Sequence, residues 1–170
     1  MTKIREVLSD DKHDWEHRVA AVDESQVSLL PLIETVSFNP EDDKQVCVSG
    51  KGVFKIFELK EHSLTQKHSF KMDDVLCHTW MSGDSIVAGT EAGQLLMLKS
   101  GCLHQLDNPY EGNEEMLDSS SFLPPLTFVS AIVRHSKGFA CSSGLGLVCV
   151  YEETKEKDYR KTGTIRRSIQ

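Results

Sequence analysis

No apolar run in these 170 residues approaches the roughly 18 to 20 needed to cross a bilayer, and the opening Met1-Thr2-Lys3-Ile4-Arg5-Glu6 lacks a signal-peptide core. The expectation is an intracellular, cytoplasmic chain with no membrane partner. Aromatic residues are scarce at 7%, and Lys and Arg (19) are outnumbered by Asp and Glu (26), for a net charge of −7. The absence of a broad basic field to neutralise phosphates argues against non-specific nucleic-acid binding, and no nucleic-acid partner is expected. The one basic cluster, Arg160-Lys161 with Arg166-Arg167, shares its segment with Glu152, Glu153, Glu156 and Asp158. Residues 154–170 therefore read as a solvated, charge-mixed tail.

Motifs that carry chemistry are missing as well. The five cysteines include no CxxC pair, and Cys77-His78 has no second ligand pair nearby, so no metal is expected. Cys47, Cys141 and Cys149 fall within strand-like runs, where a free thiol behaves as a small buried apolar group. Gly144-Leu145-Gly146 lacks the third glycine and the strand-to-helix context of a dinucleotide site. Gly50-Lys51-Gly52 lacks the spacing of a phosphate loop. Ser142 and Ser143 stand in no Gly-x-Ser-x-Gly elbow. His78, beside Trp80, reads as a structural strand residue, and neither it nor His135 receives a chemical role. Carboxylates such as Glu41-Asp42-Asp43 and Asp73-Asp74 sit at turns, where solvation explains them. The expectation is a protein without catalytic residues or cofactor.

What is present is a pattern written three times: an apolar strand, a polar turn, a second apolar strand running into Gly, and a third strand starting after another Gly. The copies are Thr35–Phe38 with Gln45–Gly50 and Gly52–Phe57; Leu76–Trp80 with Ser85–Gly89 and Gly93–Leu98; and Ser130–Val133 with Gly138–Gly144 and Gly146–Tyr151. Strands joined by tight glycine turns and repeated at this scale indicate propeller blades. Gly50 and Gly89 lie 39 residues apart, close to the roughly 40 to 45 of a WD-type blade. The predicted fold is all-β: an incomplete WD-type β-propeller of about three blades over 32–153, preceded by a short helical segment over 1–24. Each glycine pair brackets a hairpin in which positive φ costs Gly nothing.

The third copy lies 55 residues beyond the second, and the excess between Leu103 and Phe128 contains turn formers and acidic residues without a periodic apolar face. It reads as a loop insertion. A propeller closes with about 4 to 8 blades, so three leave open strand edges through which the chain is expected to self-associate. The chain reads as a fragment, a truncated product, or a piece that completes its ring with another chain. Upstream, Ile4, Val7 and Leu8, and then Trp15, Val19 and Val22, recur at helical spacing, with Ser9-Asp10-Asp11 at a helix start. The composition changes at Asp23-Glu24-Ser25-Gln26, and Pro31 precedes the first strand.

Residues 35–162 resemble WD-repeat cilia- and flagella-associated proteins, through Val36-Ser37-Phe38-Asn39-Pro40, Gln45–Gly50, His78-Thr79-Trp80, Val87–Gly93 and Tyr151–Asp158. The resemblance implies tandem propellers, often followed by a coiled coil, that dock on axonemal microtubules and help anchor or regulate dynein arms. The Trp-Asp pair typical of WD repeats is absent from all three copies. Residues 3–20, especially Lys3–Arg18, are similar to the opening of a CLASP-type TOG domain, in which the matching tryptophan, Trp15 here, contacts tubulin. The leading expectation is a non-enzymatic scaffold of the cytoskeleton, in the axoneme of a cilium or flagellum, with axonemal or microtubule-associated protein partners. The alternative is a tubulin- or microtubule-binding adaptor that uses its N-terminal segment and Trp15.

Overall fold

The computed structural model describes residues 32–61, 63–72, 74–106, 108–110, 127–144, 146–156 and 158–166. Among these residues the secondary structure is entirely strand and turn. Sheet 1 contains β1 (Ile33–Phe38), β2 (Gln45–Gly50), β3 (Val53–Lys60) and β4 (Ser63–Ser69). Sheet 2 contains β5 (Val75–Ser82), β6 (Ser85–Thr90), β7 (Leu95–Lys99) and β8 (Cys102–Gln105). Sheet 3 contains β9 (Val129–His135), β10 (Gly138–Ser143), β11 (Leu147–Glu153) and β12 (Tyr159–Arg166). Each sheet is a four-stranded antiparallel meander in chain order.

Sheet 2 is the middle layer, because β5 packs against β1 and β2 on one side while β9 packs against β5 and β6 on the other. That position explains its sequence. Side chains alternate across a strand, and here both faces are covered: Trp80, Ile86, Ala88 and Leu98 join Cys47, Phe54 and Ile56 of sheet 1 in one core. Val87, Leu95 and Met97 join Phe139, Leu147 and Tyr151 of sheet 3 in another. β6 is consequently buried at every residue and reads as a continuous run rather than an alternation. β4 and β8 are exposed at every residue. First strands that gather together while fourth strands face solvent make the arrangement β-propeller-like.

The three copies become three sheets, and the structure adds a fourth strand to each. For the expected tail this is a correction, since Tyr159–Arg166 is β12, paired antiparallel with β11 from Glu153↔Tyr159 to Leu147↔Arg166 with one register shift between Val150 and Tyr151. A segment rich in Lys, Arg and Thr forms a strand here because it lies at a sheet margin, where its long polar side chains reach water. The insertion also begins later than expected: Leu103 belongs to β8, and Leu106, Pro109 and Tyr110 are buried. Of the paired glycines only the second in each hairpin takes positive φ, +66° at Gly52, +82° at Gly93 and +70° at Gly146. The first serves close approach: a Cβ on Gly89 would stand 2.5 Å from Cγ1 of Val129. The expected helical segment, with Trp15, lies outside the described residues.

Candidate functional site: two seams and two uncovered faces

The seam between sheets 1 and 2 is polar near the first strands. His78, on β5, projects between β1 and β2, and its Nε2 lies 2.7 Å from Ser37 Oγ while its Nδ1 lies 2.7 Å from Ser49 Oγ. A neutral imidazole carries one donor and one acceptor, so one hydroxyl donates to the ring and the other accepts from it. Burial pulls the His78 pKa down to about 4, which keeps the ring neutral at physiological pH. Phe54 meets the ring edge-on at 6.4 Å between centroids. Thr35 Oγ1 donates to the Leu76 carbonyl at 3.3 Å, and Asn39 Nδ2 donates to the Gly83 carbonyl at 2.8 Å. At the hairpin end, the Gly52 amide donates to Asp74 Oδ1 at 2.8 Å. Chemically this array cross-links two sheets, since both nitrogens of the buried His78 imidazole are engaged by serine hydroxyls.

The seam between sheets 2 and 3 is apolar and rich in thiols. The fully buried Val129 inserts over Gly89, and Cys77 Sγ donates to its carbonyl at 3.4 Å. Cys141 and Cys149 stand opposite one another in the β10–β11 register, both buried. Hydrogen bonding to Cys149 and burial together push the Cys141 thiol well above the usual thiol range. Phe139 stacks on Tyr151 at 4.7 Å and meets Tyr159 edge-on at 5.4 Å. The Tyr110 hydroxyl bonds to the carbonyls of Thr127 and Phe128, tying the segment that follows β8 to the residues that lead into β9.

Cys77 and His78 are consecutive on β5, so they point to opposite faces and enter different cores. They cannot ligate one ion together. His135 ends β9, where its Nδ1 accepts the Lys137 amide at 3.2 Å. Trp80 is buried in the core of the middle sheet, as a strand-borne aromatic should be. Sequence reasoning missed the partners of His78. Alternation along the strands puts Ser37 and Ser49 on one face of sheet 1, but no signal in the sequence says that sheet 2 covers that face.

The remaining feature is surface. Among the described residues, sheets 1 and 3 each have one face that no other sheet covers. Sheet 1 presents Val36 at 50% and Phe38 at 43% exposure; sheet 3 presents Val133 and Ile165, each at 64%.

The described residues define an all-β, β-propeller-like fold of three four-stranded antiparallel sheets. No protein-family model matches the chain. Among curated proteins, it is similar to cilia- and flagella-associated protein 57 of Mus musculus, with 31% identity over 186 residues. The likeness covers 89% of this chain, which spans 15% of the length of that relative.

Proposed function

We propose that the chain is a non-enzymatic protein-interaction scaffold of the cilium or flagellum, formed by WD-type propeller blades, which helps anchor or regulate dynein arms on axonemal microtubules. The observation that carries this reading is the likeness to a cilia- and flagella-associated protein over 89% of the chain, a length that takes in most of the three sheets. Geometry supports the interaction role. The most chemically competent side chain of the described core, His78, is occupied by Ser37 and Ser49, whereas apolar side chains stand uncovered on sheets 1 and 3. Partners of the axoneme meet the blade rims and the connection between β8 and β9.

The test is expression of the tagged chain in ciliated cells, followed by detergent extraction of the axonemes. Retention along the axoneme with the dynein arms is expected, and deletion of residues 111–121 should weaken it while far-ultraviolet circular dichroism stays β-type. The deletion begins after Tyr110 because Pro109 and Tyr110 are buried. A chain that washes out completely refutes the reading.

A further inference from the structure

We propose that Cys141 and Cys149 form a site of reversible oxidation, a dithiol that hydrogen peroxide closes to a disulfide between β10 and β11. The two cysteines stand opposite one another in the register of these neighbouring strands. Residues so placed have Cα atoms about 4.5 to 5.5 Å apart, inside the roughly 4.4 to 6.8 Å that a disulfide spans. Alternation puts both side chains on the face turned toward sheet 2, and the two thiols are hydrogen-bonded to each other. The sulfurs can therefore join without a shift of either strand.

Their surroundings set the two sulfurs apart. Cys149 Sγ donates to the Pro109 carbonyl at 3.3 Å and lies 3.9 Å from Thr164 Oγ1 on β12, and the Lys161 ammonium donates to the same carbonyl at 3.3 Å. Hydrogen bonding from Cys141 holds the Cys149 thiol below the usual thiol range; burial opposes this, and Thr164 and Lys161 add to it. The thiolate is the nucleophilic form, so Cys149 is the sulfur that attacks. Cys141 keeps its proton and resolves. Cys77 enters the same core from sheet 2, but its thiol donates to the Val129 carbonyl and burial pushes it up to about 12. Both members of the pair are buried, yet the carbonyl against Cys149 belongs to a connecting segment and not to a strand. Connecting segments open locally at a lower free energy than core strands. Hydrogen peroxide is little larger than water, so it reaches a sulfur that a bulky thiol reagent does not.

In the first step the Cys149 thiolate attacks one peroxide oxygen. The O–O bond breaks, an S–O bond forms, and the departing hydroxide leaves as water with the proton that Cys149 gave up. The Cys141 sulfur then attacks the Cys149 sulfur, so that the S–O bond breaks and the S–S bond forms. The second hydroxide leaves as water with the Cys141 proton. Each sulfur has given up one electron and the peroxide has taken two. The product has no S–H to donate to the Pro109 carbonyl, and a dithiol reductant reverses the change.

The test treats the reduced full chain with equimolar hydrogen peroxide, unfolds it in an alkylating reagent and weighs the tryptic peptides. No Lys or Arg lies between the two cysteines, so residues 138–155 leave as one peptide. This peptide is expected to be two hydrogens lighter with neither cysteine alkylated, and dithiothreitol should restore two alkylated thiols. Cys141→Ala should trap Cys149 as a sulfenic acid that dimedone captures, whereas Cys149→Ala should leave Cys141 reduced. The parent chain carries the test even where a variant unfolds, because its peptide reports the pair without a substitution. Two alkylated thiols after peroxide overturn the proposal, as does a bond from either cysteine to Cys77 or Cys102. A pair that closes only in urea overturns it too, since the folded surroundings then contribute nothing. Dimedone on Cys141 in place of Cys149 overturns the assignment of attacking and resolving sulfur.

Discussion

Acid should loosen the seam between sheets 1 and 2, and His78 sets by how much. Its folded pKa of about 4 lies below the 6.5 of a free histidine, with burial as the cause. Between those values the unfolded chain holds a proton at this site that the folded chain does not, so stability rises with pH across the window. The contribution is complete above pH 6.5 and is lost progressively as pH falls toward 4. At about 1.36 kcal/mol per unit of pKa difference, the full loss is about 3 kcal/mol, of which about 2 kcal/mol is gone by pH 5. The assay is urea unfolding of the parent chain and of His78→Gln at a series of pH values from 8 to 5. Glutamine keeps one donor and one acceptor for Ser37 and Ser49 but does not titrate, and subtracting its curve removes the other six histidines. The parent should lose about 2 kcal/mol relative to the variant between pH 8 and pH 5. A difference that stays flat over this range would refute the reasoning.

Trp80 is buried but its Nε1 has no hydrogen-bond partner, so Trp80→Ala should cost about 3 to 5 kcal/mol, and Trp80→Phe, which also removes the unpaired donor, should cost under about 1.5 kcal/mol in urea unfolding. Gly93→Ala should destabilise far more than Gly52→Ala. Both have positive φ, but the new Cβ meets the Thr127 carbonyl oxygen at 2.0 Å in the first case and open space in the second; thermal melts of the two variants compare them. Native thiol labelling should modify Cys102 alone at an appreciable rate, since it is the exposed cysteine while burial pushes the thiols of Cys47 and Cys77 up to about 12. Rapid labelling of Cys47 or Cys77 in the folded protein contradicts the packing of the seams.

Three sheets, their inner three strands, their hairpins and the burial of Cys47, Cys141, Cys149 and Trp80 are legible in the sequence, because those strands bury apolar side chains and end at glycines whose positions repeat. The outer strands are not. β4, Ser-Leu-Thr-Gln-Lys-His-Ser, and β12, Tyr-Arg-Lys-Thr-Gly-Thr-Ile-Arg, hydrogen-bond along one margin and expose most side chains. Nothing in their hydropathy separates them from a polar tail, and only the pairing partner makes them strands. The seams divide along the same line. Local pattern assigns Ser37, Ser49 and His78 to strands, but alternation alone does not say which sheet each face meets. Two hydroxyls from sheet 1 reach one imidazole from sheet 2 only when the sheets are stacked, so the ring's neutrality, and the pH dependence that follows from it, belong to tertiary structure. The same holds for the uncovered faces. The sequence by itself determined that Phe38 and Val133 are apolar strand residues, and the stacking of the three sheets decided that they stand exposed, on faces that no other sheet covers among the described residues.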